Sequence, residues 1–166
     1  MATGLTDPAK FKSYKFSIPF VGELEWEPDP TQRRAAWELY IELITRISTQ
    51  PLDPDRGLLR EAYNSLYSLF GSTREILRRH GPEVGAARET VGGIAITVLN
   101  KGIRPLLSYW HPILLDHEQL KPPSATPRQW ERKLQDEAKA RGELEKLRRS
   151  LEKYATQLAK MAGAKS

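Results

Sequence analysis

Residues 100–117 read NKGIRPLLSYWHPILLDH, from Asn100 through Arg104, Trp110 and His111 to His117. From Ile94 to Leu107 the chain is apolar nearly all round. A helix apolar on every side belongs in the middle of a fold, with other helices packed about it. Pro105 predicts a kink there and pushes Arg104 away from helical geometry, because its ring crowds the preceding residue. The stretch also carries an Arg, a Trp and two His that a plain core helix does not need. In one account Arg104 pairs with Asp116 or Glu118 and Trp110 fills one end of a bundle. In the other, Arg104, Trp110 and His111 form a recognition surface. Trp and Arg dominate interface hot spots, and Trp110-His111-Pro112 stands at a helix break.

The flanking segments predict what surrounds this helix. Residues 1–13 read as a flexible terminus. Tyr14, Phe16, Ile18 and Phe20 alternate with Lys15 and Ser17, a period of two that predicts a half-buried strand. Pro19 restricts it to an edge, and Gly22 permits a turn into Leu24 and Trp26, so residues 14–27 form a β-arm or hairpin. Asp29-Pro30 is a helix start, an acidic cap before a proline whose missing N–H is not needed. Trp37, Tyr40, Ile41, Ile44 and Ile47 follow at helical spacing as one apolar face, expected to meet the core. Asp55 is placed to cap a second helix with a wide stripe from Leu58 to Leu77, ended by His80-Gly81-Pro82. Gly71 lies inside that helix at a cost of about 1 kcal/mol against Ala, which close helix packing would explain. Gly92-Gly93 precedes the central helix. The helical core is thus expected to span 28–125.

Residues 126–166 predict one long last helix, capped by Thr126 and entered at Pro127. Leu144, Leu147, Leu151, Tyr154, Leu158 and Met161 step by three and four, a heptad-like seam. It either folds back as the fourth helix of an all-α four-helix bundle or protrudes to take a partner or a second copy. In the second case, truncation after about Gly142 abolishes assembly and leaves the core folded. This segment holds 11 Lys and Arg against 6 Asp and Glu, the whole of the chain's net charge of +5. Interleaved signs describe a solvated helix. A nucleic-acid surface would centre on Arg148, Arg149 and Lys153.

Composition excludes several chemistries. With no Cys there is no disulfide, thiol nucleophile or thiolate metal site, as suits a reducing cytoplasm. The N-terminus has no apolar run like a signal peptide, and no stretch approaches the roughly 18 apolar residues of a membrane span. His111 and His117 lie six apart and do not share a helical face, so neither a metal nor a cofactor is expected. No phosphate loop or nucleophile elbow occurs.

One catalytic pattern is present. Arg74-Glu-Ile-Leu-Arg-Arg-His80 and Arg104-Pro-Leu-Leu-Ser-Tyr-Trp-His111 space an Arg and a His by five and six residues. Both resemble the Arg-x4-6-His motif of the HEPN ribonucleases, small helical proteins that usually dimerise. The resemblance covers one helix and implies His80 as the acid–base group and Arg74 as a phosphate ligand; Pro105 departs from the polar residue usual after the Arg. In general style, compact helices with a charged last helix, the chain resembles small bacterial accessory proteins, including those of antiphage defence systems. The reading that follows is a cytoplasmic, non-catalytic interaction module that docks a protein partner or a second copy. A HEPN-like ribonuclease and a nucleic-acid binder are its alternatives.

Overall fold

The alternation at the start of the chain does form a hairpin. In the computed structural model, which describes residues 14–165, β1 (Lys15–Ile18) pairs antiparallel with β2 (Gly22–Glu25), Phe16 opposite Leu24. Phe16, Ile18 and Leu24 turn inward and are buried. Phe20 does not join them: it sits in the turn at φ 69° and is exposed. An isolated hairpin is marginal. This one is tied down, with Ser17 N–H donating to Gln157 and Lys160 Nζ to the Lys15 carbonyl. The flexible terminus expected over 1–13 lies outside the described residues.

The protein is mostly helical. α1 (Pro30–Ile44) starts as the sequence expects, Asp29 accepting from Gln32 N at 2.8 Å. Its buried face, however, is Gln32, Ala35, Ala36, Leu39 and Leu43. The aromatic and isoleucine face expected to meet the core divides: Tyr40 and Ile44 are half-buried against it, whereas Trp37 and Ile41 look outward, 46% and 39% exposed. The small alanines let α1 approach α6 (Glu137–Ala162) closely, and this is its most extensive contact.

α2 (Leu59–His80) ends at Gly81, φ 77°, as read. Its start is different. Asp55 is no cap; Leu58 occupies that position and offers no side-chain acceptor. Asp53 instead closes a local turn onto the N–H groups of Asp55 and Arg56. The α2 N-terminus is capped from 72 residues away by Glu131, at the end of α5 (Pro127–Glu131). Directly after it the expected single last helix is broken. The chain turns through 132–136 before α6 begins, although no proline or glycine marks the spot.

α3 (Val91–Thr97), a π-helical segment (Val98–Ile103) and α4 (Arg104–Gln119) make one uninterrupted helical run. Arg104 keeps helical dihedrals, φ −55° and ψ −45°, contrary to expectation. Its N–H reaches back five residues to Leu99 O, and the widened turn makes room for the Pro105 ring. Gly92 and Gly93 form the buried first turn of α3 rather than breaking it. A Cβ on Gly93 would stand 1.9 Å from the Ala87 carbonyl, so only glycine admits that loop. Arg46 joins α1 to α2, donating to Glu42 and, at 2.6 Å, to Ser72 Oγ.

Burial pushes the carboxyls of Glu38, Glu42 and Glu137 up. Hydrogen bonds from Arg79 and His80, from Ser72 and Arg46, and from Arg128 and Arg141 outweigh it, holding all three below the usual value of 4.5. Their folded values lie below the unfolded ones, so the stability they contribute is complete above the normal glutamate range and is lost as pH falls through the lower folded values. Melting temperature should therefore be flat from neutrality down to about pH 5 and drop below it. A flat profile down to about pH 3 would show that these pairs contribute nothing.

Candidate functional site

α2 and α4 lie antiparallel, and their register decides which polar groups meet. Arg60 Nε pairs with Glu118 at 2.8 Å, the Tyr67 ring stacks on His111 with centroids 5.8 Å apart, and Arg104 lies over the Phe70 ring at 4.8 Å. Between the two helices runs a groove of about 570 Å³, lined by Tyr67, Phe70, Arg74, Arg104, Ser108 and His111. The structure thus unites Arg104 and His111, singled out together, and adds Arg74 from the other motif.

It does not unite Arg74 with His80. His80 turns towards α1, where Nε2 donates to Glu38 Oε1 at 2.8 Å, and Arg79 pairs with the same carboxylate. Arg74 points into the groove on another face of α2. Within one chain the pair implied by the ribonuclease resemblance is not assembled. His117 is likewise structural: its ring stacks on Trp130 at 4.8 Å and donates Nε2–H to the Trp130 carbonyl, whose own indole N–H bonds the His117 carbonyl.

Of its two expected roles, Trp110 takes the core one rather than that of a contact residue. It is 0% exposed, and its indole N–H donates to Glu143 on α6. The seam follows its first alternative, folding back on its own chain, and is not a contact surface. Leu144, Leu147, Leu151, Tyr154 and Leu158 are all buried within this chain, so the heptad-like face is satisfied internally against α1 and the hairpin. Burial pushes the Tyr154 phenol up. The basic candidates on α6 have carboxylate neighbours: Arg148 bonds Glu145 at 2.7 Å and Glu152 at 3.2 Å, and Arg149 bonds Glu145 at 3.2 Å. Lys153 is exposed.

Two features were missed. Tyr67 contributes to the groove beside Gly71, yet as a single aromatic off the apolar stripe of α2 it carried no local signal of a site. The outer face of α1 was assigned to the core. It borders a groove of about 800 Å³ towards α6 and one of about 410 Å³ towards α2. Among the described residues no helix is long and apolar enough to cross a membrane, and no group of three or more His, Asp and Glu gathers as a metal site. No protein-family model matches the chain, and no curated protein or solved structure matches it.

Proposed function

We propose that this chain is a non-catalytic helical interaction module that pairs with a second copy of itself through the outer face of α1. The observation that carries the reading is the exposed pair Trp37 and Ile41 on α1, 46% and 39% accessible, flanked by half-buried Tyr40 and Ile44 and continued past the helix end by Ile47, 46% accessible. Large apolar side chains in a continuous stripe mark association surfaces, where single scattered ones do not. Trp37 and Tyr40 also pack on each other at 5.5 Å, a preformed aromatic ridge.

Charge selects the occupant. The groove on the α6 side carries Lys160 and Lys165, beside Arg148, which is already paired with Glu145 and Glu152. The groove on the α2 side carries Glu38, Glu42 and Glu75; Glu38 is already paired with Arg79 and His80 and Glu42 with Arg46, which leaves Glu75, 3.9 Å from Arg79, as its least compensated carboxylate. A two-fold axis running along α1 lays the basic flank of each copy on the acidic flank of the other. A two-fold across the helix would oppose like charges. The ridge is therefore self-complementary in the first arrangement, as an isologous interface requires.

Light scattering is expected to give twice the chain mass at tens of micromolar. Trp37→Glu or Ile41→Glu should give the monomer with unchanged helical circular dichroism, because both side chains already face solvent. Glu75→Lys should weaken the dimer, and adding Lys165→Glu should restore it. A monomeric parent chain at about 100 μM, or a dimer indifferent to Trp37→Glu, would overturn the proposal.

A further inference from the structure

We propose that the α2–α4 groove binds a nucleotide-class ligand, its phosphate held by Arg74 and Arg104 and its planar ring laid against Tyr67. The cations come first. Nine arginines pair with carboxylates, but neither Arg74 nor Arg104 has such a partner among the described residues. Arg104 is nonetheless held in place. Its Nε and Nη2 donate to Asn100 Oδ1 at 3.1 and 3.0 Å, and its plane rests on Phe70. This fixes a guanidinium at the groove and leaves other N–H groups free for a ligand. Two arginines from facing helices suit a dianionic phosphate oxygen cluster, because the planar fork matches it.

The other end suits a flat ring. Tyr67 is 64% exposed, with one face on His111 and the other open. Arg60 Nη1 donates to His111 Nδ1 at 3.4 Å, which sets the ring orientation and leaves Nε2 to carry the proton. Ser108 also lines the groove, where hydroxyls of a sugar would lie. Pro112 has no N–H, so the Ser108 carbonyl lacks its helical donor and remains a further acceptor. The volume falls in the range of small-molecule sites.

Gly71 supplies an independent reason. Glycine inside a helix destabilises it relative to alanine, and packing was the expected explanation. The structure removes that explanation: a Cβ on Gly71 meets nothing within 4 Å. The missing side chain keeps the groove open at its middle. A residue that weakens the helix and opens a cationic cleft fits a ligand's need better than the fold's.

Isothermal titration with AMP, GMP, CMP and UMP tests this. At least one should bind saturably, one per chain, with a submillimolar Kd. Arg74→Gln and Arg104→Gln should each weaken it by about tenfold or more. Gly71→Leu should abolish binding while the melting temperature holds or rises, which separates groove filling from misfolding. Inorganic phosphate should bind about tenfold more weakly than the best nucleotide; equal binding would overturn the ring assignment. A 5′-phosphorylated tetranucleotide that binds much more tightly would identify a strand end as the source, and equal affinity a free nucleotide. No saturation by any of the four up to about 5 mM, or binding that survives all three substitutions, would overturn the proposal. None of these outcomes depends on dimerisation.

Discussion

Glu131→Ala is expected to lower stability by about 3 kcal/mol, read as a reduced urea midpoint and a melting temperature lower by some 6–12 °C. The carboxylate is 6% exposed and takes the Leu59 N–H at 2.7 Å and the Arg60 N–H at 3.3 Å. These are orphan donors of the α2 N-terminus, and α2 has no side-chain cap of its own. An unmet buried donor costs about 1–3 kcal/mol, and the negative charge also complements the helix dipole. Arg128 and Arg141 stand 3.9 and 3.6 Å from the same group. They would not be stranded, since Glu137 holds them at 2.6 and 3.0 Å. For that reason the loss stays at the low end of what breaking a buried ion pair costs. Glu131→Gln keeps one acceptor and should lose about half as much. A loss under about 1 kcal/mol for the alanine variant would mean that water caps α2 equally well.

Trp110→Ala is expected to cost about 3–5 kcal/mol, enough to threaten folding at physiological temperature. The indole is fully buried where α4 meets α6, Tyr109 packs edge-on against it at 4.8 Å, and its N–H is used by Glu143. Trp110→Phe keeps most of the volume and should cost about 1–2 kcal/mol, because half-buried Glu143 can turn to water. If Trp110 were a contact residue, alanine there would leave stability untouched and reduce assembly only. Denaturant titration of both variants decides between the two roles.

The local punctuation of this fold was legible: the hairpin, the Asp29 and Thr126 caps and the stop at Gly81 each follow from residues within a turn of the feature. The orientation of α1 was not. Trp37, Tyr40, Ile41 and Ile44 form the more hydrophobic face, but Ala35, Ala36 and Leu39 form the one that fits against α6. Periodicity registers hydrophobicity and is silent on how closely a small residue lets two helices approach. The α6 seam was legible as an apolar face, yet its spacing is the same whether it packs in its own chain or another. The break at 132–136 was invisible because no proline or glycine marks it, and the capping of α2 by Glu131 beside it is a tertiary contact. The groove depends on helix register: Arg74 and Arg104 are thirty positions apart in sequence, and only the antiparallel pairing of α2 with α4 makes them neighbours.

The packing of α1 on α6 has a consequence for the growing chain on the ribosome. The two helices that share the most extensive interface are separated by more than half the length of the protein, α1 ending at Ile44 and α6 starting at Glu137, and the hairpin too rests on α6. Leu39 and Leu43 have partners on α2 beforehand, but the α6 side of α1 and of the hairpin stays uncovered until α6 has been synthesised and released from the exit tunnel. Assembly is non-local and late, the condition under which nascent chains are slow to fold and open to aggregation. A ribosome stalled before about residue 140 should carry a chain that proteases cut within α1 and that chaperones retain.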